Sequence, residues 1–185
     1  MNLNIHSILW KSKANGPGIR SVVWFQGCSI LCEGCFNPLT HSLEPNQLIE
    51  PEVLAKKIIT QGSEIEGITI SGGEPFDQSQ ALSLFLHSIR DSSNLSVILF
   101  SGHAIETISR MPESTGILKN TDVLISGPFD QSHAHPENLA GSSKKIFHFL
   151  TKKYSLKDFS TIPEAEIIID SQGNITYSGL LFINH

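Results

Sequence analysis

The chain has 185 residues, of which 39% are hydrophobic and 17% charged, which is typical of a globular protein and excludes a disordered or fibrous one. Its formal net charge of −5 argues against a nucleic-acid partner, because binding to phosphates depends on clustered lysines and arginines. No apolar run approaches the roughly 18 residues that cross a bilayer, so we expect no membrane segment.

Segments typical of strands and helices alternate along the chain, and no repeat or linker divides it, so we expect a single domain over residues 1–185. The predicted strands, in chain order, are residues 21–26, 67–71, 95–100, 122–126, 165–170 and 174–178. The predicted helices are residues 52–61, 78–90 and 104–110, and residues 127–143 form a loop rich in Gly, Pro, Ser and His. Strands that alternate with helices predict βαβ units and a mostly parallel sheet in an α/β fold.

The three cysteines of the chain, Cys28, Cys32 and Cys35, lie together directly after the first predicted strand. A disulfide framework would need an even number at wider spacing, and the N-terminus has no signal-peptide features, so we expect a cytoplasmic protein with reduced thiols. Three close thiolates can hold three irons of a 4Fe–4S cluster and leave the fourth iron open to a substrate. A zinc site with His41 as the fourth ligand, or three buried thiols without a metal, would also fit the spacing.

The other unusual motifs also follow predicted strands, where the active-site loops of parallel sheets lie. Gly72, Gly73 and Glu74 form a turn whose glycines allow close backbone approach, although a plain strand-to-helix connection would have the same sequence. Ser101 and Ser126 end the next two predicted strands, where their hydroxyl groups could bond to a ligand or cap the following turn.

Two sets of titratable side chains are expected to be solvated or locally bonded. His103, His133 and His135 are loop histidines, for which such bonding is more common than a catalytic or metal-binding role. The clustered lysines are too few to form a nucleic-acid-binding stripe and are expected on a solvated surface. These lysines are Lys144, Lys145, Lys152 and Lys153.

Residues 16–38, with the pattern Cys-x3-Cys-x2-Cys followed by Phe36, resemble the radical S-adenosylmethionine superfamily, and within it the small activating enzymes of glycyl-radical proteins. Further motifs of the same enzymes recur in order as SGGEP at 71–75, FSGH at 100–103, DVLISGPF at 122–129 and LAGSS at 139–143. Among these enzymes the chain most resembles the activating proteins of anaerobic ribonucleotide reductases. The resemblance implies an open, partial βα barrel of mostly parallel strands.

The resemblance also implies a chemistry. In these enzymes a 4Fe–4S cluster binds S-adenosylmethionine and, with one electron, cleaves it to methionine and a 5′-deoxyadenosyl radical, which removes a hydrogen atom from a substrate. The implied substrate is a glycyl-radical enzyme, and the implied electron donor is a protein such as flavodoxin or ferredoxin. A peptide or a small metabolite as the substrate, or a non-catalytic iron–sulfur or zinc module, are the alternatives.

The resemblance assigns roles to the residues that match the family motifs. The implied cluster ligands are Cys28, Cys32 and Cys35. The implied cofactor-binding residues are Gly34, Cys35 and Phe36 along the adenine, Gly72, Gly73 and Glu74 at the methionine, and Ser101 and Ser126 at further contacts.

The chain departs from the family pattern at two places near the predicted site. Ser126 stands where these enzymes usually carry an acidic residue, which argues against a monovalent cation site. Lys144 and Lys145 replace an Asn-Gln pair after LAGSS, in a loop expected to face the cofactor or the protein substrate. With only three cysteines the chain has no thiolates for a second cluster, which disfavours relatives that need one.

Overall fold

The structure is a computed structural model that describes residues 1–135 and 139–179. Its strands are β1 Leu3–Ser12, β2 Arg20–Phe25, β3 Gln47–Ile49, β4 Gly67–Gly72, β5 Ser96–Phe100, β6 Val123–Ser126, β7 Ala134–His135, β8 Gly141–Ser142, β9 Ile146–Phe149, β10 Ala165–Ile169 and β11 Ile175–Gly179. Its α-helices are α1 Pro51–Ile59, α2 Ser79–Ser92, α3 Ile105–Ile108, α4 Ser114–Lys119 and α5 Leu156–Phe159.

A seven-stranded sheet in the order β3-β1-β2-β4-β5-β6-β9 forms the centre of the molecule. The four strands β2, β4, β5 and β6 run parallel to one another, whereas β1, β3 and β9 pair antiparallel at the two sides. The outer strands β3 and β9 are not paired with each other, so the sheet formed by the described residues is open. The α/β class is therefore confirmed, and the predicted parallel arrangement is confirmed for the centre of the sheet.

The predicted strands correspond to β2, β4, β5, β6, β10 and β11, and their bounds differ by at most one residue at each end. The first of them is the second strand of the chain, because the sequence analysis missed β1. Strand β1 alternates fully buried Leu3 and Ile5 with half-exposed residues, and exposed Trp10 and Lys11 then precede buried Ser12, so its apolar pattern is broken. Strands β3 and β9 were missed for the same reason, since most of their residues are exposed or half-exposed.

The two longest helices, α1 and α2, pack against each other and contribute to the main core. Leu82, Phe85, Leu86 and Ile89 lie at helical spacing in α2 and are all fully buried, which confirms that predicted helix. The predicted helix over 104–110 is reduced to α3, and α4 and α5 were not predicted. The predicted loop 127–143 contains the two-residue strands β7 and β8, and its residues 136–138 lie outside the described part.

A buried arginine joins three parallel strands. Arg20 at the start of β2 has no solvent exposure, and its Nε donates to Thr69 Oγ1 on β4 over 2.8 Å. Its Nη2 donates to the backbone oxygens of Ile68 at 2.6 Å and Ser96 at 3.0 Å, and its Nη1 donates to Ser96 Oγ at 2.9 Å. These bonds satisfy a guanidinium that would otherwise be costly to bury, and they connect β2, β4 and β5.

The antiparallel pair β10–β11 is a separate two-stranded sheet that contacts the segment after β1. Asn15 Nδ2 donates to Ser178 Oγ over 2.6 Å, and the backbone nitrogen of Lys13 donates to Glu166 Oε2 over 3.0 Å. Tyr177 and Ser178 thereby come to line a cavity beside the main sheet. Within residues 1–135 and 139–179 no helix has the length and apolar content to cross a membrane.

Candidate functional site

The loops that follow β2, β4, β5 and β6 surround one pocket, which we call the thiol pocket. It is lined by the loop that carries Cys28, Cys32 and Cys35, which we call the cysteine loop, by the turn of Gly72, Gly73 and Glu74 after β4, which we call the Gly-Gly-Glu turn, and by polar groups near the ends of β5 and β6. Its walls include Cys28, Cys32, Cys35, Phe36, His41, Gly72, Gly73, Glu74, Ser101 and Lys145. The carboxyl ends of the parallel strands therefore bring together most of the predicted site residues, as expected for such sheets.

Hydrogen bonds at its two ends fix the cysteine loop. The backbone nitrogen of Gly27 donates to Thr40 O over 2.8 Å, and that of Cys28 donates to His41 O over 3.3 Å. Asp77 accepts from both the backbone nitrogen of Ser29, at 2.7 Å, and its hydroxyl group, at 2.8 Å. Asp77 and Ser29 could not be predicted as partners, because nothing in the sequence shows that a carboxylate 48 residues away reaches the loop.

The three cysteines are unpaired, half-buried and face the same pocket. Burial raises the pKa of the Cys35 thiol, and the charges of Cys32 and Cys28 raise it further, whereas the backbone nitrogen of Asn37 lowers it by donating to Sγ at 3.4 Å. No group of three His, Cys, Asp or Glu side chains in the described ranges converges on the position of a single metal ion. A mononuclear zinc site with His41 therefore finds no support here. A 4Fe–4S cluster needs no such convergence, because each thiolate binds a different iron.

The imidazole of His41 supplies a test of whether the thiol pocket fits a bound group. His41 Nε2 is buried and has no hydrogen-bond partner in the protein. Such a group costs about 1–3 kcal/mol when it is left unsatisfied. A polar group or an inorganic sulfide bound in the pocket would offer a partner, so the residues present fit a polar or iron–sulfur ligand in this position.

The Gly-Gly-Glu turn is held directly against the cysteine loop. Gly72 has a φ of +101°, and a Cβ there would collide with the backbone of Phe25. A Cβ on Gly73 would overlap the carbonyl oxygen of Gly27. The backbone nitrogens of Gly73 and Glu74 donate to Phe25 O and Gly27 O, both at 2.9 Å. Both glycines are thus required by close backbone contact, and the turn does more than connect β4 with the next helix.

Glu74 is fully buried and its carboxylate joins two of the site loops. Oε1 accepts from Phe76 N at 3.0 Å and from Ser101 Oγ at 2.9 Å, and Oε2 accepts from Gly102 N at 2.8 Å. Burial raises the pKa of Glu74, and these hydrogen bonds oppose that increase. Ser101 Oγ also accepts from the backbone nitrogen of His103 at 3.1 Å, so Ser101 caps its turn as well as bonding to Glu74.

Two predicted residues have less direct relations to the thiol pocket. Gly34 has a φ of +69°, in the left-handed region that favours glycine, and a Cβ there would meet the flexible side chain of Gln131. Ser126 is buried, and its Oγ bonds to His148 Nε2 at 2.9 Å. Neither Gly34 nor Ser126 is among the residues that line the pocket. His148 was not considered from the sequence.

Phe36 lies between the thiol pocket and a larger neighbouring cavity of about 490 Å³. Its ring is 43% exposed and meets the ring of Phe129 edge-on, with centroids 5.2 Å apart, so it is not a core residue. The two cavities also share Asn37, Ser71 and Phe100 in their walls. An extended ligand could therefore reach from the thiols into the larger cavity.

The expectation that the clustered lysines are solvated is wrong for Lys145. Its Nζ donates to the backbone oxygens of Ser101 at 3.1 Å and Gly127 at 2.7 Å, and the side chain lines the thiol pocket. Burial lowers the pKa of Lys145, whereas the charges of Glu74 and the thiolates raise it. Lys144, Lys152 and Lys153 are exposed, as expected.

The expectation that the three loop histidines are solvated or locally bonded is confirmed for His133. His133 is exposed at the surface, where its Nδ1 bonds to Asp130 Oδ2 at 2.9 Å, as expected. The charge of His103 contributes to lowering the pKa of Glu74. The side chain of His135 lies outside the described part of the structure.

Comparison with known proteins gives a family and several relatives. The family described as "4Fe-4S single cluster domain" matches residues 14–148. The pyruvate formate-lyase-activating enzyme of Clostridium pasteurianum is 32% identical over 150 residues, which is 77% of this chain and 59% of that enzyme. The anaerobic ribonucleoside-triphosphate reductase-activating proteins of Haemophilus influenzae and Vibrio cholerae are 28% and 27% identical. These matches cover 72% and 80% of this chain, and 90% and 99% of those proteins.

Proposed function

Because the chain belongs to the 4Fe-4S single cluster domain family, we propose that it is a radical S-adenosylmethionine enzyme that installs a glycyl radical on a partner enzyme. The observation that carries the proposal is the meeting of three thiols and the Gly-Gly-Glu turn in one pocket at the carboxyl ends of parallel strands. The similarity to activating proteins of pyruvate formate-lyase and of anaerobic ribonucleoside-triphosphate reductase supports the same reading.

Each part of the site has a task in this proposal. Cys28, Cys32 and Cys35 hold three irons of a 4Fe–4S cluster, and the fourth iron is left for S-adenosylmethionine. When bound, these cofactors supply the one-electron cleavage that gives methionine and a 5′-deoxyadenosyl radical, which removes a hydrogen atom from a backbone glycine of the partner. The turn of Gly73 and Glu74 offers carbonyl and carboxylate oxygens, which are the acceptors that the ammonium group of the methionine needs.

The larger cavity provides space for the substrate glycine beside the cofactor. It adjoins the thiol pocket at Phe36 and is lined by apolar rings such as Trp24 and Tyr177. We place the adenosine of the cofactor along residues 34–36 and the substrate glycine in this cavity. Ser101 contributes indirectly, by holding Glu74. For Ser126 we keep the predicted cofactor contact as a proposal, with His148 as its partner in the protein.

Replacing Glu74 by glutamine should weaken the binding of S-adenosylmethionine by about 10–100-fold, because a charged acceptor is lost and one charge-assisted bond is worth roughly 1.5–3 kcal/mol. The iron content should stay that of the wild type, since the thiols are untouched. The measurement is anaerobic equilibrium binding to cluster-loaded protein. Glu106→Gln, at an exposed position of α3, is the control. An affinity equal to that of the wild type would remove Glu74 from the site.

The proposed function is tested by mixing the reduced, cluster-loaded protein with S-adenosylmethionine and either pyruvate formate-lyase or an anaerobic ribonucleotide reductase. We expect 5′-deoxyadenosine together with a glycyl-radical doublet in the electron paramagnetic resonance spectrum of the partner. If 5′-deoxyadenosine formed without the doublet for either partner, the radical would act on another substrate, such as a peptide or a small metabolite. If a fully loaded and reduced cluster gave no 5′-deoxyadenosine, the chain would be a non-catalytic iron–sulfur module.

Three further proposals accompany this function. The electron comes from a small low-potential protein such as flavodoxin or ferredoxin, because cleavage consumes one electron at a time. The protein acts in the cytoplasm, where thiols stay reduced and available to iron. The open central sheet, with its helices, is part of a single domain over residues 1–185 that takes the form of a partial βα barrel. The parallel order of β2, β4, β5 and β6 supports this assignment.

A further inference from the structure

Lys145 brings a positive charge into the thiol pocket. It is the only lysine or arginine among the described residues that line this pocket. It follows β8 and precedes β9, and the antiparallel pairing of β9 with β6 returns the chain to the carboxyl ends of β5 and β6. There its Nζ meets two backbone carbonyls, Ser101 O and Gly127 O.

The ammonium group of Lys145 has unused binding capacity. An ammonium has three N–H donors, and two of them are taken by the carbonyl oxygens of Ser101 and Gly127. Both acceptors are neutral, so they satisfy hydrogen bonds without balancing the charge. No carboxylate forms an ion pair with Nζ in the part of the chain that the structure describes. The carboxylate of Glu74 accepts three hydrogen bonds, from Phe76, Ser101 and Gly102, which leaves it about one of its roughly four acceptor positions, and it forms no ion pair with Nζ in the described residues.

The other polar groups of the thiol pocket cannot replace Lys145 as a charged donor. Glu74 is an acceptor, and the hydroxyl hydrogen of Ser101 is used on Glu74. His41 Nε2 and the amide of Asn37 can offer single hydrogen bonds. Ser126, directly before Gly127, is neutral, so no carboxylate at that position competes for the ammonium. An anionic group that enters the pocket therefore finds one cationic partner.

We propose that Lys145 binds the carboxylate of the methionine moiety of S-adenosylmethionine, opposite the acceptors that receive its ammonium group. This inference rests on the proposed function, because it assumes that S-adenosylmethionine occupies the thiol pocket. Lys145 is then a cofactor-binding residue that recognises the amino-acid end of the ligand by charge. Glu74 and Lys145 give this end of the pocket one acidic and one basic side chain, which matches a zwitterion.

The test compares two ligands on anaerobically reconstituted protein with an oxidised cluster, which binds without turnover. The ligands are S-adenosylmethionine and decarboxylated S-adenosylmethionine, which keeps the sulfonium, the amine and the adenosine but has no carboxylate. Dissociation constants are measured for the wild type, Lys145→Met, Lys145→Arg and Lys144→Met. Lys144 is the matched control, since it is the neighbouring lysine and is exposed.

The decisive quantity is the ratio of the two dissociation constants in each protein, which a general loss of stability does not change. The wild type and Lys144→Met should prefer S-adenosylmethionine by about 10–100-fold, as one charge-assisted hydrogen bond allows. In Lys145→Met the ratio should fall by about 10-fold or more, because one charge-assisted hydrogen bond to the carboxylate is lost, and Lys145→Arg should retain the preference because the charge remains. If Lys145→Met did not load the cluster, Lys145→Gln would be measured in its place.

Two results would overturn the assignment. A preference in Lys145→Met equal to that of the wild type would show that the carboxylate binds elsewhere. Equal losses of affinity for both ligands would show that Lys145 shapes the pocket or contacts the cluster instead. Failure of the proposed function is a different result, in which the cluster-loaded wild type itself binds neither ligand.

Discussion

Cys32→Ala should yield a folded protein that binds no 4Fe–4S cluster and forms no 5′-deoxyadenosine. The chain has only three cysteines, and thiolates are the soft ligands that iron–sulfur clusters require, so the variant has ligands for two irons at most. Folding should persist because Cys32 is only half-buried and the loop is held elsewhere, by Gly27 and Asp77. The measurement is iron and sulfide per chain after anaerobic reconstitution, together with the visible absorbance of the cluster.

The matched control for this variant is Glu33→Ala, which changes the adjacent, exposed residue of the same loop and leaves all three thiols in place. It should load iron as the wild type does. Wild-type iron content in Cys32→Ala would refute the assignment of this cysteine as a ligand. The circular dichroism spectra of the two variants should agree, because neither change removes a core side chain.

Arg20→Met should lower the free energy of unfolding by about 3–5 kcal/mol, because it leaves several buried acceptors without a donor. The oxygens that lose their bonds belong to Thr69, Ser96 and Ile68, on two neighbouring strands. Tyr154 loses a partner as well, since its ring lies 5.9 Å from the guanidinium carbon. The measurement is equilibrium unfolding in denaturant, followed by circular dichroism.

Arg90→Met is the comparison for the Arg20 variant. Arg90 donates to Asn120 O at 2.9 Å and to Asp122 Oδ2 at 3.1 Å, but its side chain is 28% exposed and water can replace it. The expected loss is roughly 1 kcal/mol. Similar losses in the two variants would mean that Arg20 does not join the strands as described.

The parallel strands and most of the site could be predicted because their signals are local. Residues 95–100 and 122–126 are apolar runs, and they are found as β5 and β6. Since parallel strands end at one edge of the sheet, the motifs that follow them could be expected to meet there, and Cys28, Gly73 and Glu74 do line one pocket.

What could not be predicted depends on pairing between distant segments. Lys145 has the sequence context of a solvated lysine, and only the antiparallel pairing of β9 with β6 brings it over the strand ends. Strand β9 itself has an exposed or half-exposed pattern that gives no clear period. The bond between Asp77 and Ser29 joins positions 48 residues apart, and short polar residues of this kind are ordinary in loops.

The contact between Gly73 and the carbonyl oxygen of Gly27 has a consequence for how the protein meets its ligands. The cysteine loop and the Gly-Gly-Glu turn are far apart in the chain but are joined by hydrogen bonds and close contact, so neither can move without displacing the other. Both segments are ordered before a ligand binds, because folding has already fixed them. Binding therefore does not cost the conformational entropy of ordering them. The cluster and S-adenosylmethionine should therefore meet the same preformed site, whichever of them binds first. Gly73→Ala should impair both the assembly of the cluster and the binding of S-adenosylmethionine.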